Sequence, residues 1–145
     1  MHKLQITKRL SDAIKLHMEA SAPYVAGGFL FGSLDTSLVD VQDFAPALNV
    51  VDGLPEHFEF DREDFERASE VAQKRNMDSI GFYSSCPNSS MDLDALFINE
   101  LPSNTFLLVG ITNNAELVKL EVYYKGREET TACELSIAEV QEADY

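Results

Sequence analysis

The segment from Tyr24 to Leu34 constrains the fold most. It is an apolar run carrying an adjacent glycine pair, and its length and Phe29-Leu30-Phe31 centre read as a buried strand. Gly27-Gly28 lets a second backbone approach closely just before that centre. A chain built around such a strand needs a sheet.

The rest of the chain supplies one. Leu4 and Ile6 alternate in a short strand, and Leu10, Ala13, Ile14, His17 and Met18 then follow the spacing of one helical face, predicting a helix from Lys8 to Ala20. Gly32 and Asp35 predict a hairpin into a strand from Leu38 to Leu48, followed by a loop from Asn49 to His57 and a short strand at Phe58 and Phe60. Asp61 is placed to cap a helix from Arg62 to Arg75 whose inner face is Phe65, Ala68 and Ala72. Met77 to Tyr83 returns as a strand, and Ser84 to Met91 reads as a polar loop. Asp92 caps a third helix reaching Leu101, where Pro102 stops it. Three strands follow, Thr105 to Ile111, Leu117 to Tyr124 and Ala132 to Val140, with turns at Asn113-Asn114 and Lys125-Gly126. The expectation is one α/β or α+β domain over residues 1–145, a curved mixed and largely antiparallel sheet flanked by helices, with Phe29, Phe31, Phe82 and Leu108 in or beside the core.

The net charge of −14 argues against nucleic acid and anionic membrane as partners, because both are bound through Lys and Arg that release counterions. A solvated acidic surface serving only solubility is the simpler reading of it, and steering of a basic protein surface the other. The two cysteines, Cys86 and Cys133, are far apart and lack metal-site spacing, which suits free thiols in a reducing compartment. No signal-peptide-like or membrane-length apolar stretch occurs, and a cytoplasmic location is expected.

Pro23 to Gly32, Phe58-Glu59-Phe60-Asp61 and Ile80 to Ser89, in that order, resemble segments of the JAMM/MPN metalloproteases. Pro23 to Gly32 is similar to that family's P-x-E-x-x-G-L-L-x-G strand, Phe58-Glu59-Phe60-Asp61 to the start of its second helix, and Ile80 to Ser89 to its G-x-Y-H-S-H-P-x-S loop. The resemblance implies a cytidine deaminase-like architecture. It also implies a degenerate site, since Val25 stands at the general-base position, Ser84 and Cys86 at the two histidine positions and Met91 at the oxyanion-supporting serine, while Pro87 is retained. Asp94 takes the third-ligand position, with Asp92 competing for it.

Catalytic zinc takes three protein ligands from His, Cys and carboxylate, and here only Cys86 and Asp94 qualify. Val25 cannot accept a proton, which removes a contribution of about 10²–10⁴ in rate. No metal or other cofactor is therefore expected. The histidines do not repair the site: His2 is terminal, His17 lies on the core stripe as a hydrogen-bonded histidine, and His57, in the loop before Phe58, is expected to stay out of it. Cys86 lacks a cationic neighbour that would activate it, and Cys133 reads as core. Asp92 and Asp94 also suit a helix cap and first turn, and Asn49 and Asn88 suit loop hydrogen bonds.

The resemblance thus implies a pseudoenzyme, deubiquitinase-like in frame, that binds or scaffolds a protein partner, a ubiquitin-like protein or an active relative among them. Self-association stays open, as does an extended peptide held against an open strand edge near Val25 and Met91. The enzymatic alternatives are a metal-dependent isopeptidase or peptidase with unorthodox ligands, and a cysteine hydrolase using Cys86.

Overall fold

A computed structural model describes residues 3–21, 25–34, 38–47, 61–87 and 102–138. In chain order these form β1 (Lys3–Thr7), α1 (Lys8–Ser21), β2 (Gly27–Leu34), β3 (Leu38–Ala47), α2 (Arg62–Lys74), β4 (Asp78–Pro87), β5 (Thr105–Asn113), β6 (Glu116–Lys125) and β7 (Thr130–Ala138). Their local causes match the sequence. Asp61 caps α2 by accepting from the Glu63 amide at 3.0 Å, and Asn114 and Ala115, both with positive φ, make the tight turn from β5 to β6.

The sheet closes on itself. Its strand order is β1-β3-β2-β4-β5-β6-β7, and β1 pairs in parallel with both β3 and β7, so the two ends of the sheet meet. This corrects the expectation of an open, helix-flanked sheet of JAMM/MPN type with cytidine deaminase-like architecture. The reason is the placement of β1: its Leu4/Ile6 alternation specifies a strand but not its neighbours, and the structure uses both of its edges.

The glycines that carried the resemblance serve the barrel wall. A Cβ on Gly28 would lie 2.4 Å from the Ala45 carbonyl oxygen and from the Tyr83 ring, and one on Gly81 would lie 2.0 Å from the Phe106 carbonyl oxygen. Any tightly crossed wall would demand glycine there, whatever the family.

The wall has two apolar faces. Inside, Leu4, Ile6, Leu30, Val41, Ile80, Tyr83, Phe106, Leu108 and Val122 pack with Leu10, Ile14 and Met18 of α1 in one cluster. Outside, Val25, Phe29, Phe31, Phe82, Cys86, Leu107, Val109 and Ile111 pack beneath Ala72 of α2, with Phe65 and Ala68 against them. The helices therefore lie on opposite faces, and β2, β4 and β5 are covered on both, which is why β2 and β5 read as nearly continuous apolar runs. Each fully buried Leu, Ile or Phe here contributes about 1.5–3 kcal/mol.

A second correction concerns the expected polar loop. Ser84 to Pro87 continue β4, paired in parallel with β5 as far as Thr112. Their hydroxyls are satisfied within the wall: Ser84 Oγ donates to the Ser85 carbonyl at 3.1 Å, and Ser85 Oγ accepts from the Ala26 amide at 2.8 Å. The loop from Asn49, His57, Phe58, Phe60, Asn88, Met91, Asp92, Asp94 and the third helix to Leu101 lie outside the described residues, as do His2 and the expected strand limits Tyr24, Leu48 and Val140.

Candidate functional site

Of the residues expected at a degenerate metal site, Val25 and Cys86 come together in the outer cluster beneath α2, and Ser84 lies between Phe82 and Cys86 along β4. All three are buried, with Ser84 fully so. Their surroundings are those of wall residues, and with the sheet closed the frame that assigned them to metal positions no longer applies. Among the described residues no group of three or more His, Cys, Asp or Glu side chains is placed to hold a metal ion.

His17 is half-buried, as its place on the α1 stripe implies, and its Nδ1 lies 2.7 Å from the hydroxyl of fully buried Tyr83. The tautomer that satisfies both groups has Tyr83 donating to Nδ1 and the imidazole proton on Nε2. Burial raises the Tyr83 hydroxyl far above its usual range and lowers the His17 pKa below 6.5. Tyr83 was missed in the sequence, although a tyrosine in an apolar strand needs a partner for its hydroxyl and a core-stripe histidine is a natural one.

The folded state therefore disfavours His17 protonation, while the unfolded chain takes up that proton below its ordinary pKa of 6.5. This stability contribution is present above 6.5 and is lost as pH falls from there towards the lower folded value. Urea unfolding at about pH 7.5 and about pH 5.5 should show the fall, and His17→Gln should flatten it. An unchanged fall in the variant would assign it to carboxylates.

Among the described residues the wall is interrupted in more than one place: β3 beyond Val41 has no partner on its β1 side, and β6 and β7 part from each other. The β6/β7 ladder runs only from Val122↔Cys133 to Lys125↔Thr130, set by the turn in which the Gly126 amide donates to the Glu129 carbonyl at 2.9 Å. From Glu134 onward β7 pairs with β1, while β6 from Glu116 to Glu121 pairs with β5. Among the described residues, Glu116 to Glu121 and Glu134 to Ala138 thus have no ladder partner on the sides that face each other.

Two local causes open this seam. Continuing the β6/β7 register would set Glu121 directly against Glu134, and like charges opposed across strands are destabilising. Each carboxylate instead has a lysine: Lys119 Nζ lies 2.8 Å from Glu121, and Lys3 Nζ lies 3.8 Å from Glu134. The second cause is a bulge. The β5/β6 register slips between Ile111 and Thr112 and leaves Val118 unmatched, and a bulge bends its strand and increases the local twist.

A groove of about 440 Å³ occupies the opening, lined by Lys119, Leu120, Glu121 and Tyr123 of β6 and by Cys133 and Leu135 of β7. Leu120 and Leu135 belong to the fringe of the inner cluster, so the groove cuts through the wall from the polar outside to the apolar inside. Val118 and Ile137 stand exposed near it, at 63% and 44%. Tyr123 donates to Glu121 Oε2. Hydrogen bonds from Lys119 and then Tyr123 hold the Glu121 carboxyl below its usual range, and burial followed by Glu121 pushes the Tyr123 hydroxyl up to about 12. The Cys133 thiol is pushed up by burial, which keeps it protonated and a poor nucleophile. From α1, Glu19 accepts the Leu117 amide at 2.7 Å and satisfies that part of β6. The chemistry on offer is that of binding: open backbone and a groove that sets Leu120 and Leu135 beside Lys119, Glu121 and Tyr123.

A smaller groove of about 240 Å³ lies between α2 and β3, lined by Phe31, Phe44, Ala68 and Val71 and bridged by Arg75 and Asp43 at 3.1 Å. There β3 is paired with β2 on one side only, because its pairing with β1 ends at Val41, and the Phe44 amide donates to Asp43 Oδ1 at 2.8 Å. Among the described residues no helix is long and apolar enough to cross a membrane.

No protein-family model matches the sequence, and no curated protein does. Solved structures do match. The solution structure of protein DSY2949 from Desulfitobacterium hafniense superposes with a TM-score of 0.81 at 19% identity over 97% of both chains. That of a protein from Salinibacter ruber does so with a TM-score of 0.67 at 17% identity, over 94% of this chain and 93% of the other. Neither is a JAMM/MPN or deubiquitinase structure by its description, which completes the correction of that resemblance. At these identities the likeness is one of fold, shared across nearly the whole length of each chain.

Proposed function

We propose that the chain is a non-catalytic binding module that takes an extended segment of a partner protein by strand addition at the β6/β7 seam. The observation that carries this reading is the interrupted ladder: two facing strand edges, Glu116 to Glu121 and Glu134 to Ala138, lack a ladder partner among the described residues, and a groove lined by Lys119, Leu120, Glu121 and Leu135 lies where they part. Exposed strand edges are templates for pairing, and soluble folds ordinarily blunt or cover them. Main-chain hydrogen bonds would supply affinity, and the alternating pockets beside Leu120 and Leu135 would supply selectivity. The strand edge earlier placed near Val25 is not the one used, since β2 beyond it is paired on both sides.

The test is selection of extended octapeptides against the immobilised chain, followed by amide-resonance mapping on the labelled protein. Bound peptides should shift residues 117–121 and 134–138, and Leu120→Asp should weaken them by about tenfold or more by replacing an apolar lining side chain with a carboxylate. Shifts confined to the α2/β3 groove would reject the seam as the site.

A further inference from the structure

We infer that Glu19 of α1 is a built-in competitor at the seam: its carboxylate occupies the Leu117 amide that an added strand would take as its first hydrogen-bond partner. This rests on the strand-addition reading above and adds the regulation of that same site.

A strand can enter only at the end of the seam far from the Val122↔Cys133 rung, because β6 and β7 part from there. Leu117 lies at that end. Asn113 and Glu116 close the Asn114-Ala115 hairpin as a hydrogen-bonded pair, so the next pair, Thr112↔Leu117, turns the Leu117 amide away from β5 and towards the seam. Glu19 Oε2 accepts it at 2.7 Å.

Packing fixes the carboxylate there. Met18 is fully buried, and a Cβ on Gly110 would lie 2.2 Å from its sulfur and 2.9 Å from Leu117 Cδ1, so the bare Gly110 lets the last turn of α1 approach β6. His17, on the same turn, is tied to the Tyr83 hydroxyl. Glu19 itself is half-buried, and no cation of the described residues pairs with it. A bond from a backbone amide to a carboxylate is about twice as strong as one to a neutral oxygen, so the entrance amide is well held in the free chain. The other open edge is blunted in a related way, with the Phe44 amide donating to Asp43, but that acceptor sits on the strand itself and is also paired with Arg75. Glu19 stands on a different element and has no second partner among the described residues, so it can swing into water without disturbing β6.

An entering strand presents a main-chain carbonyl to the same amide, and the carboxylate has to give way to it. The apparent affinity is therefore the intrinsic one multiplied by the fraction of chains in which Glu19 has left the amide. The same contact keeps the β6 edge from pairing indiscriminately.

A capped octapeptide of alternating valine and threonine, titrated into the labelled chain and read from the amide shifts of residues 117–121, tests this. Glu19→Ala should bind it about tenfold more tightly than the unaltered chain, and without peptide its Leu117 amide should exchange faster. Glu19→Gln keeps an acceptor but not the charge, and its affinity should fall between the two. Asp12→Ala removes an exposed carboxylate of the same helix and should change affinity by less than about twofold. A gain in Asp12→Ala equal to that in Glu19→Ala would assign the effect to overall charge and overturn the inference. Equal affinities of Glu19→Ala and the unaltered chain, with shifts still at the seam, would also overturn it and leave strand addition standing. Absence of seam shifts in all four chains would overturn both.

Discussion

Gly81→Ala should cost more stability than any other single methyl group discussed here. The added Cβ would sit 2.0 Å from the Phe106 carbonyl oxygen, 2.7 Å from its carbonyl carbon and 2.9 Å from its amide nitrogen, all backbone atoms of the paired strand β5. No rotamer change relieves a contact with backbone, so the parallel β4/β5 ladder has to separate. Overpacking ordinarily costs about 1–3 kcal/mol, and a backbone clash places this variant at about 3 kcal/mol or more, a large share of the ~5–15 kcal/mol that holds a domain together. Gly110→Ala is the matched control. Its Cβ would meet the thioether of Met18 at 2.2 Å, and a flexible side-chain end can move aside for about 1–2 kcal/mol. Urea midpoints of the two variants measure the difference, and equal midpoints would contradict the β4/β5 crossing at Gly81.

Phe29→Ala is the second large effect, at about 3–5 kcal/mol. Phe29 is 1% exposed, and its ring packs edge-on against Phe65 of α2 at 5.2 Å and Phe82 of β4 at 5.8 Å, with Phe65 and Phe82 themselves 5.5 Å apart. These three rings carry the docking of α2 on the outer wall. Their loss should lower helical protection in residues 62–74 before the barrel itself unfolds. If residues 62–74 kept full protection in the variant, the outer cluster would not be what holds α2.

The contrast between these variants shows what the sequence could and could not reveal. Most described elements were legible to within a few residues because their causes are local: the Leu10, Ile14 and Met18 stripe makes α1, Asp61 caps α2, and doubly buried β2 reads as a continuous apolar run. Closure was not legible. Whether β1 pairs with none, one or two neighbours depends on β7, more than a hundred residues away, and Leu4 and Ile6 look the same in each case. The JAMM/MPN resemblance arose from glycines whose spacing serves close strand crossing, so a feature of the wall passed for a feature of a site. Ser84-Ser85-Cys86 read as a loop because composition does not reveal that the Ser85 hydroxyl meets the Ala26 amide. The seam lay nearer to reach. With the turn at Lys125-Gly126 identified, counting back along both strands brings Glu121 opposite Glu134 and flags a ladder that should stop there. Glu19 carried no such signal, because its partner amide at Leu117 is fixed only by the tertiary fold.

Residue-resolved amide hydrogen exchange on the free chain tests the open seam most directly. Val122 to Lys125, paired on both sides, should exchange slowly throughout. From Val118 to Glu121, amides directed to β5 should be slow and those directed to the seam fast, with the Leu117 amide retarded by its bond to Glu19. Addition of a seam-binding peptide should bring the fast set down to the rate of its neighbours. Uniformly slow exchange from Val118 to Glu121 in the free chain would mean that the wall is already complete, and would contradict the site and the function drawn from it.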